Sequence, residues 1–331
     1  MTEPSDGKNE KTPLVSIITP TYNSDKEYLF EAIASVLQQT YPKIEYIITD
    51  DGSEHFPEEE VKEFLRVNAG KNIISWTILR HERNIGTVKN VNGALRVAKG
   101  KYIFGLAHDD IYYDEMVIEK WVEEFQKSNS KIITGIRSTK NLQTGEEEYL
   151  PTQKQRDMIR SYSSHRLFMK ILQKNIISGA STAYAKCVFE EYGLYDEKCR
   201  LLEDWPYYLE VLSKGERITM WEHPVIYYRW GGISTKQNTL SPQLERDFIN
   251  TRYKYHQTLK KILPKDYRDV LPYYITWIKT YIQLNLYFAR NEKDNYKIEP
   301  ILSEKNPTEL KIWRWIYRGG KVIYCRVQKL K

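Results

Sequence analysis

Val15-Ser-Ile-Ile-Thr-Pro-Thr-Tyr-Asn23 sets the fold of this chain. Val15–Thr19 is a short β-branched run stopped by Pro20, which predicts a buried strand feeding a polar turn. Tyr28, Leu29, Ala32, Ile33, Val36 and Leu37 then recur at helical spacing, and the pattern stops near Thr40-Tyr-Pro42. Ile44–Thr49 predicts a second strand that runs straight into Asp50-Asp51-Gly52-Ser53, a turn composition. The alternation continues with a polar helix from Glu58 to near Val67, a strand near Ile73–Leu79 and a helix over Val88–Lys99 closing at Gly100. Tyr102–Leu106 predicts a fourth strand, ending in His108-Asp109-Asp110. Asp114 is expected to cap the next helix, whose apolar face is Val117, Ile118, Trp121, Val122 and Phe125.

This βαβαβαβ order predicts an α/β domain, a mainly parallel mixed sheet with helices on both faces. Ligands of such sheets sit beyond the carboxyl ends of the strands. Three strand ends carry unusual polar sequences (TPTYN, DDGS and HDD) and are expected to meet in one crevice. Further on, strands are expected at Ile132–Ile136, Ile218–Trp221 and Val225–Arg229. A polar loop is expected through Pro151, with helices at Ser164–Gln173 and Asp204–Lys214 and a strand plus helix in Ser178–Tyr192. From Leu240 the chain reads as helical, and Leu271–Arg290 is expected to pack on the main domain. The organisation is therefore a disordered leader at 1–12, an α/β domain at 13–240 and a helical basic extension at 241–331.

Composition narrows the function. The chain has 331 residues, 41% apolar and 28% charged, an ordinary globular mix with no apolar run long enough to span a bilayer. Its polar N-terminus lacks a signal-peptide h-region, so a cytosolic protein is expected. The three cysteines make no CxxC pair and read as reduced thiols. Residues 307–331 hold seven Lys/Arg and one acid, which equals the whole net charge of +6. The main body is neutral, which argues against a nucleic-acid binder. Leu310, Trp313, Ile316 and Tyr317 interleave with those cations. The tail thus suits an interfacial helix on an anionic membrane, or a terminal helix docked on the domain. The 26 Tyr and 8 Trp suit sugar faces and membrane interfaces as well as half-buried packing.

Two acidic pairs carry the chemistry. Asp50-Asp51 reads either as a turn or as part of a site. Adjacent carboxylates such as Asp109-Asp110 at a strand end repel unless a cation sits there, and Mg²⁺ or Mn²⁺ bridging a diphosphate is one solution. A solvated Asp-Asp turn is the other.

The segments Pro13-Leu-Val-Ser-Ile-Ile-Thr-Pro-Thr-Tyr-Asn23, Ala34-Ser-Val-Leu-Gln-Gln-Thr-Tyr-Pro42 and Ile47-Ile-Thr-Asp-Asp-Gly-Ser53 resemble the family 2 glycosyltransferases of the GT-A fold. The likeness continues through Asn84-Ile-Gly86, Ala98-Lys-Gly-Lys-Tyr-Ile103 and His108-Asp-Asp110, and returns at Glu190-Glu-Tyr-Gly-Leu-Tyr-Asp196 and Glu203-Asp204. It covers about residues 13–235 in the family's order. The resemblance implies an inverting hexosyltransferase with a nucleotide-sugar donor, most simply a UDP-sugar, and a glycan or lipid-linked oligosaccharide acceptor. Residues 13–112 would be the nucleotide-binding half and 113–240 the acceptor-binding half. It implies that Thr19, Pro20, Thr21 and Tyr22 line the base and ribose, and that Asp51, with Asp50 behind it, accepts from the uracil N–H. Of Asp109 and Asp110, one would hold Mn²⁺ or Mg²⁺ and the other the ribose or a metal-bound water, with Asp110 favoured for the metal.

Asp204 matches the family's general base and, before Trp205-Pro206, also suits a helix start, which would tend to lower its pKa. Glu203 would orient the acceptor or the helix. Trp205, Tyr207 and Tyr208 would stack on the acceptor sugar or pack in the core. The chain departs from the pattern at Ala107 and His108, where many relatives have a further Asp, and at Gly231-Gly232, where a His often follows. Arg229, Lys236 or Lys89 would then hold the diphosphate. The implied setting is polysaccharide biosynthesis at the cytoplasmic face of the cell membrane. A non-catalytic carbohydrate-binding protein of the same fold stays open. A nucleotidyltransferase would need a Gly-rich basic loop after the first strand, which is missing.

Overall fold

The computed structural model describes residues 12–140, 147–229, 241–262 and 267–290. The leader up to residue 11, Lys236, Gly231-Gly232 and the tail at 307–331 lie outside the described residues. The ordered chain begins β1 (Val15–Thr21), α1 (Lys26–Leu37), β2 (Ile44–Asp50), α2 (Glu58–Asn68), β3 (Ile73–Arg80), α3 (Thr87–Val97) and β4 (Tyr102–Gly105). It continues with β5 (Ile111–Tyr112), α4 (Val117–Ser128), β6 (Ile132–Lys140), β7 (Glu147–Leu150), α5 (Gln153–Ser161) and α6 (Ser164–Gln173). A 3₁₀ turn at Gly179–Ser181 leads into β8 (Thr182–Ala185), α7 (Cys187–Tyr192), α8 (Asp204–Ser213), β9 (Ile218–Tyr227), α9 (Pro242–Lys261) and α10 (Tyr267–Arg290).

The strands form one sheet in the order β3-β2-β1-β4-β8-β6-β9-β5, with β7 paired to β6. It is parallel from β3 to β4. Beyond β4 the antiparallel β8 enters, and β6 and β9 run parallel to each other. The expected GT-A-like α/β architecture with a helical C-terminal extension is what the chain adopts. Every residue of β2 is buried, as a strand covered on both faces requires, and the one charged residue in Ile44–Ile48, Glu45, accepts from Ser16 Oγ and Lys99 N. The core gathers Ile17, Ile33, Val36, Tyr46, Phe104, Trp121 and Phe125, and the ring of Phe104 meets that of Trp121 edge-on at 5.3 Å.

Several expectations are corrected. Asp114 does not cap α4: its carboxylate accepts from Met116 N, one residue short of the helix. Gln39, from the end of α1, caps α4 instead by accepting from Ile118 N, while its amide donates to the Asp114 carbonyl. The polar loop before Pro151 contains β7, and α5 follows it. The α5 start had a signal in Thr152 and Gln155, a capping box in which Gln155 accepts from Thr152 N at 2.8 Å. The two strands expected in 218–229 are one. Its register against β6 shifts near Pro224, whose missing N–H breaks the ladder.

The chain divides into two compact units, 1–171 with 175–248, and 172–174 with 249–331. The described part of the second unit is built on α10 and the later turns of α9. His256 Nδ1 lies 2.7 Å from Thr280 Oγ1, Gln173 donates to Thr276 Oγ1 at 2.7 Å, and the rings of Trp277 and Tyr281 stack.

Candidate active site

The three polar strand ends do meet. Thr21 on β1 pairs with Asp50 on β2. Asp51 N donates to the Thr21 carbonyl, Asn23 N donates to Ser53 Oγ, and His108 Nδ1 lies 3.3 Å from the Pro20 carbonyl. Asp50 is fully buried and accepts from both the N–H and the hydroxyl of Ser53, which fixes the turn. Gly52 in that turn has φ 72°, and a Cβ there would meet the Arg83 carbonyl carbon at 2.3 Å. Asp51 accepts from Ile85 N at 2.7 Å and Gly86 N at 3.0 Å, so it ties β2 to the loop before α3. Burial pushes its pKa up, against the pull of those two N–H groups. Of the residues expected at the base and ribose, Thr19 turns inward and accepts from Tyr46 OH at 3.0 Å, and Thr21 shares a hydrogen bond with Ser24. Pro20 is half-buried and Tyr22 is exposed at the crevice. Lys89 stands exposed on α3.

Asp109 is half-buried and Asp110 is 1% exposed. Asp110 Oδ1 accepts from Arg229 N at 3.1 Å, but its Oδ2 is buried with no hydrogen-bond partner. Burial, with the Asp109 carboxylate second, pushes its pKa up to about 8. Among the described residues no cluster of three or more His, Cys, Asp and Glu can hold a metal by itself. A buried orphan carboxylate oxygen beside a second carboxylate nevertheless fits a hard divalent ion. Such ions commonly take one or two carboxylates and complete their shell from substrate phosphates and water. The Arg229 guanidinium is engaged, paired with Glu31 and stacked 4.3 Å over the Tyr28 ring.

Asp204 is the first residue of α8, half-buried. Its Oδ2 accepts from Gly179 N at 3.1 Å and its Oδ1 from Trp205 N at 2.6 Å. Gly179 makes room for this approach, since a Cβ there would sit 3.0 Å from Asp204 Oδ2 and the carboxylate would have to shift by a few tenths of an ångström. Burial pushes the Asp204 pKa up to about 6, outweighing the hydrogen bonds from Trp205 N and Gly179 N. The expected lowering at a helix start is therefore overturned: desolvation wins. Glu203, raised to about 8 by burial and by the Asp204 charge, stays largely protonated near neutrality. Trp205 is corrected to a core residue. It is 1% exposed, donates Nε1–H to the Ile171 carbonyl at 2.8 Å and packs on Phe248, so it offers no face to a sugar. Tyr207 and Tyr208 are buried with it.

Three residues of the site were not anticipated. Arg200 donates to the carbonyls of Asn84 and Ile85, holding the loop that carries the Asp51 partners. Asp247, fully buried, accepts from the N–H groups of Arg200, Leu201 and Leu202 with one oxygen. Together they brace the segment before Glu203-Asp204 against the loop before α3. Arg137, near the end of β6, lies 4.4 Å over the Tyr228 ring with its Nε buried and unpartnered. Its positive charge pulls the pKa of both Asp110 and Asp204 down, against the larger effect of burial. A lone Arg interrupting the apolar run Ile132–Ile136 at its end was the available signal.

Comparisons with known proteins agree with this geometry. The family model described as "Glycosyl transferase family 2" matches residues 16–193. An uncharacterized glycosyltransferase of Rickettsia typhi, RT0329, is 28% identical over 241 residues, 72% of this chain and 70% of its own length. The uncharacterized glycosyltransferase EpsJ of Bacillus subtilis is 25% identical over 90% of this chain and 81% of its own. Among solved structures, S. aureus TarS 1–349 in complex with UDP superposes with a TM-score of 0.59 at 16% identity, over 91% of this chain and 78% of that one, which speaks to the fold. The chain belongs to glycosyl transferase family 2: it is a GT-A glycosyltransferase that moves a sugar from a nucleotide-sugar donor.

Proposed function

We infer that the enzyme transfers a sugar from a UDP-sugar to a hydroxyl of a glycan or lipid-linked acceptor, with inversion at the anomeric carbon and Asp204 as general base. The observation that carries this reading is the Asp204 carboxylate, held by two backbone N–H groups and raised to about 6. A base with that pKa is ionised at neutral pH yet basic enough to take a hydroxyl proton. Its fixed position lets one oxygen lone pair face the acceptor while attack proceeds opposite the diphosphate. Neutral Glu203 beside it can donate a hydrogen bond to the acceptor.

UDP is favoured because TarS, of like fold, is recorded in complex with UDP and with UDP-GlcNAc. The base and ribose would lie along Pro20–Tyr22 and the Asp51 turn. Asp110 and Asp109 would hold Mn²⁺ or Mg²⁺, which supplies charge neutralisation to the departing diphosphate. Arg137, unpartnered at Nε and close enough for its charge to act on both Asp110 and Asp204, would add a positive charge for the same diphosphate. The reaction would sit at an anionic membrane surface on the cytoplasmic side, reached by the basic segment 307–331.

The test is transfer and hydrolysis of UDP-sugars by wild type and Asp204→Asn. The variant should keep UDP affinity and lose turnover. Wild-type turnover in Asp204→Asn would remove it as the base. A donor panel in which GDP-, CDP- or dTDP-sugars alone react would remove the uridine assignment.

A further inference from the structure

Helix α10 has its polarity reversed. Its inward side carries Thr276 and Thr280 beside Tyr273 and Leu284, all buried, with the two hydroxyls bonded to Gln173 and His256. Its outward side carries Val270, Leu271, Tyr274, Ile275, Ile278 and Ile282, all exposed, with Leu271 at 68%. At the helical pitch these six fall within an arc of roughly 140° and run about 18 Å along the axis. Only seven other large apolar side chains are exposed among the described residues, and they are scattered singly over α1, α2, α3, β3, β7 and loops. One contiguous water-facing apolar stripe marks an interaction surface.

The surrounding charge selects the partner. Arg268 and Lys279, both exposed, follow one edge of the stripe. Further along the sequence, 307–331 adds seven Lys/Arg against one acid. A second copy docking through this stripe would bring like charges together. An anionic lipid surface accepts both the apolar stripe and the cations. Among the described residues no helix is long and apolar enough to cross a membrane. We propose that α10 lies flat on an anionic bilayer with Val270, Leu271, Tyr274, Ile275, Ile278 and Ile282 immersed at the headgroup boundary. This rests on the membrane reading of 307–331 and extends it to a second, separate contact. It would hold the enzyme beside a lipid-linked acceptor.

The experiment is co-sedimentation of the full chain with phosphatidylcholine vesicles, with and without phosphatidylglycerol. It compares wild type, Leu271→Asn/Ile278→Asn and Arg314→Gln/Arg318→Gln/Lys321→Gln. Wild type should bind the anionic vesicles. The α10 pair should lower partitioning about tenfold or more, with an unchanged melting temperature because both side chains face water. Wild-type partitioning of the α10 pair, with loss in the tail variant, overturns the α10 contact and leaves the tail reading standing. Absence of wild-type binding to anionic vesicles overturns both. A dimer by analytical ultracentrifugation that the α10 pair dissolves also overturns it, giving the stripe to a second copy.

Discussion

Asp50 and Asp51 close β2, and Asp109 and Asp110 follow β4; the two pairs look alike in sequence and are bonded in opposite ways. In the β2 pair both carboxylates accept from donors of the fold itself. Asp50 takes two donors from Ser53, and Asp51 takes two backbone N–H groups from the loop before α3. The β4 pair is left incomplete, with one Asp110 oxygen buried and unbonded and the Asp109 charge beside it. An ionised carboxylate in that state costs stability unless a cation or a proton arrives. We propose that the β2 pair chiefly shapes the crevice and that the β4 pair holds the ligand. Glu203 and Asp204 fall between these extremes: Asp204 is held by backbone donors, yet burial keeps both pKa values high.

The largest expected effect lies at the intermediate pair. Asp204→Asn should lower transfer by about 10²–10⁴-fold while UDP affinity stays within about twofold, read by turnover and calorimetry. At the β2 pair the loss should appear in stability. Asp51→Ala leaves Ile85 N and Gly86 N without their acceptor and should cost about 1–3 kcal/mol in denaturant unfolding. If Asp51→Ala is as stable as wild type, the distinction between scaffold and ligand carboxylates fails. Arg137→Gln should weaken UDP binding about tenfold and UMP binding little, because its charge is proposed to serve the diphosphate, whose second phosphate UMP lacks. Equal losses for UDP and UMP would instead place its role in packing on Tyr228.

The smallest effects are in pH. Transfer should fall as pH drops through about 6, because the base must be ionised. Stability should run the other way. In the folded state Asp204 and Glu203 hold protons that the unfolded chain has released, so their contribution is full below about pH 4 and is lost as pH rises through about 6 and 8. Glu203→Gln should flatten the upper part of that slope in melting temperature against pH.

Much of this was legible because β1, β2 and β4 are buried on both faces and so appear as apolar, β-branched and aromatic runs, broken only by Ser16, Thr19 and Glu45, that end in polar turns. Asp50, Asp51, Asp109, Asp110 and Asp204 could be read for the same reason, since strand and helix ends are marked locally. The two-residue β5 and the cap from Gln39 could not. They depend on partners far along the chain, such as Tyr227 for Ile111 and Ile118 for Gln39. Asp247 is the sharpest case. One helical aspartate accepts three N–H groups from residues more than forty positions earlier, and its local pattern is that of any solvated helix carboxylate. Trp205 was ambiguous because its tryptophan-proline context suits a helix start whether the ring faces sugar or core.

The central claim is that the incomplete carboxylate pair after β4 is the ligand-binding one. Calorimetry of UDP binding with and without Mn²⁺, in wild type and Asp110→Asn, tests it most directly. The account predicts Mn²⁺-enhanced UDP binding in wild type, with the enhancement lost in Asp110→Asn while metal-free binding stays the same. An enhancement retained in Asp110→Asn would contradict it, as would wild-type binding that Mn²⁺ does not change.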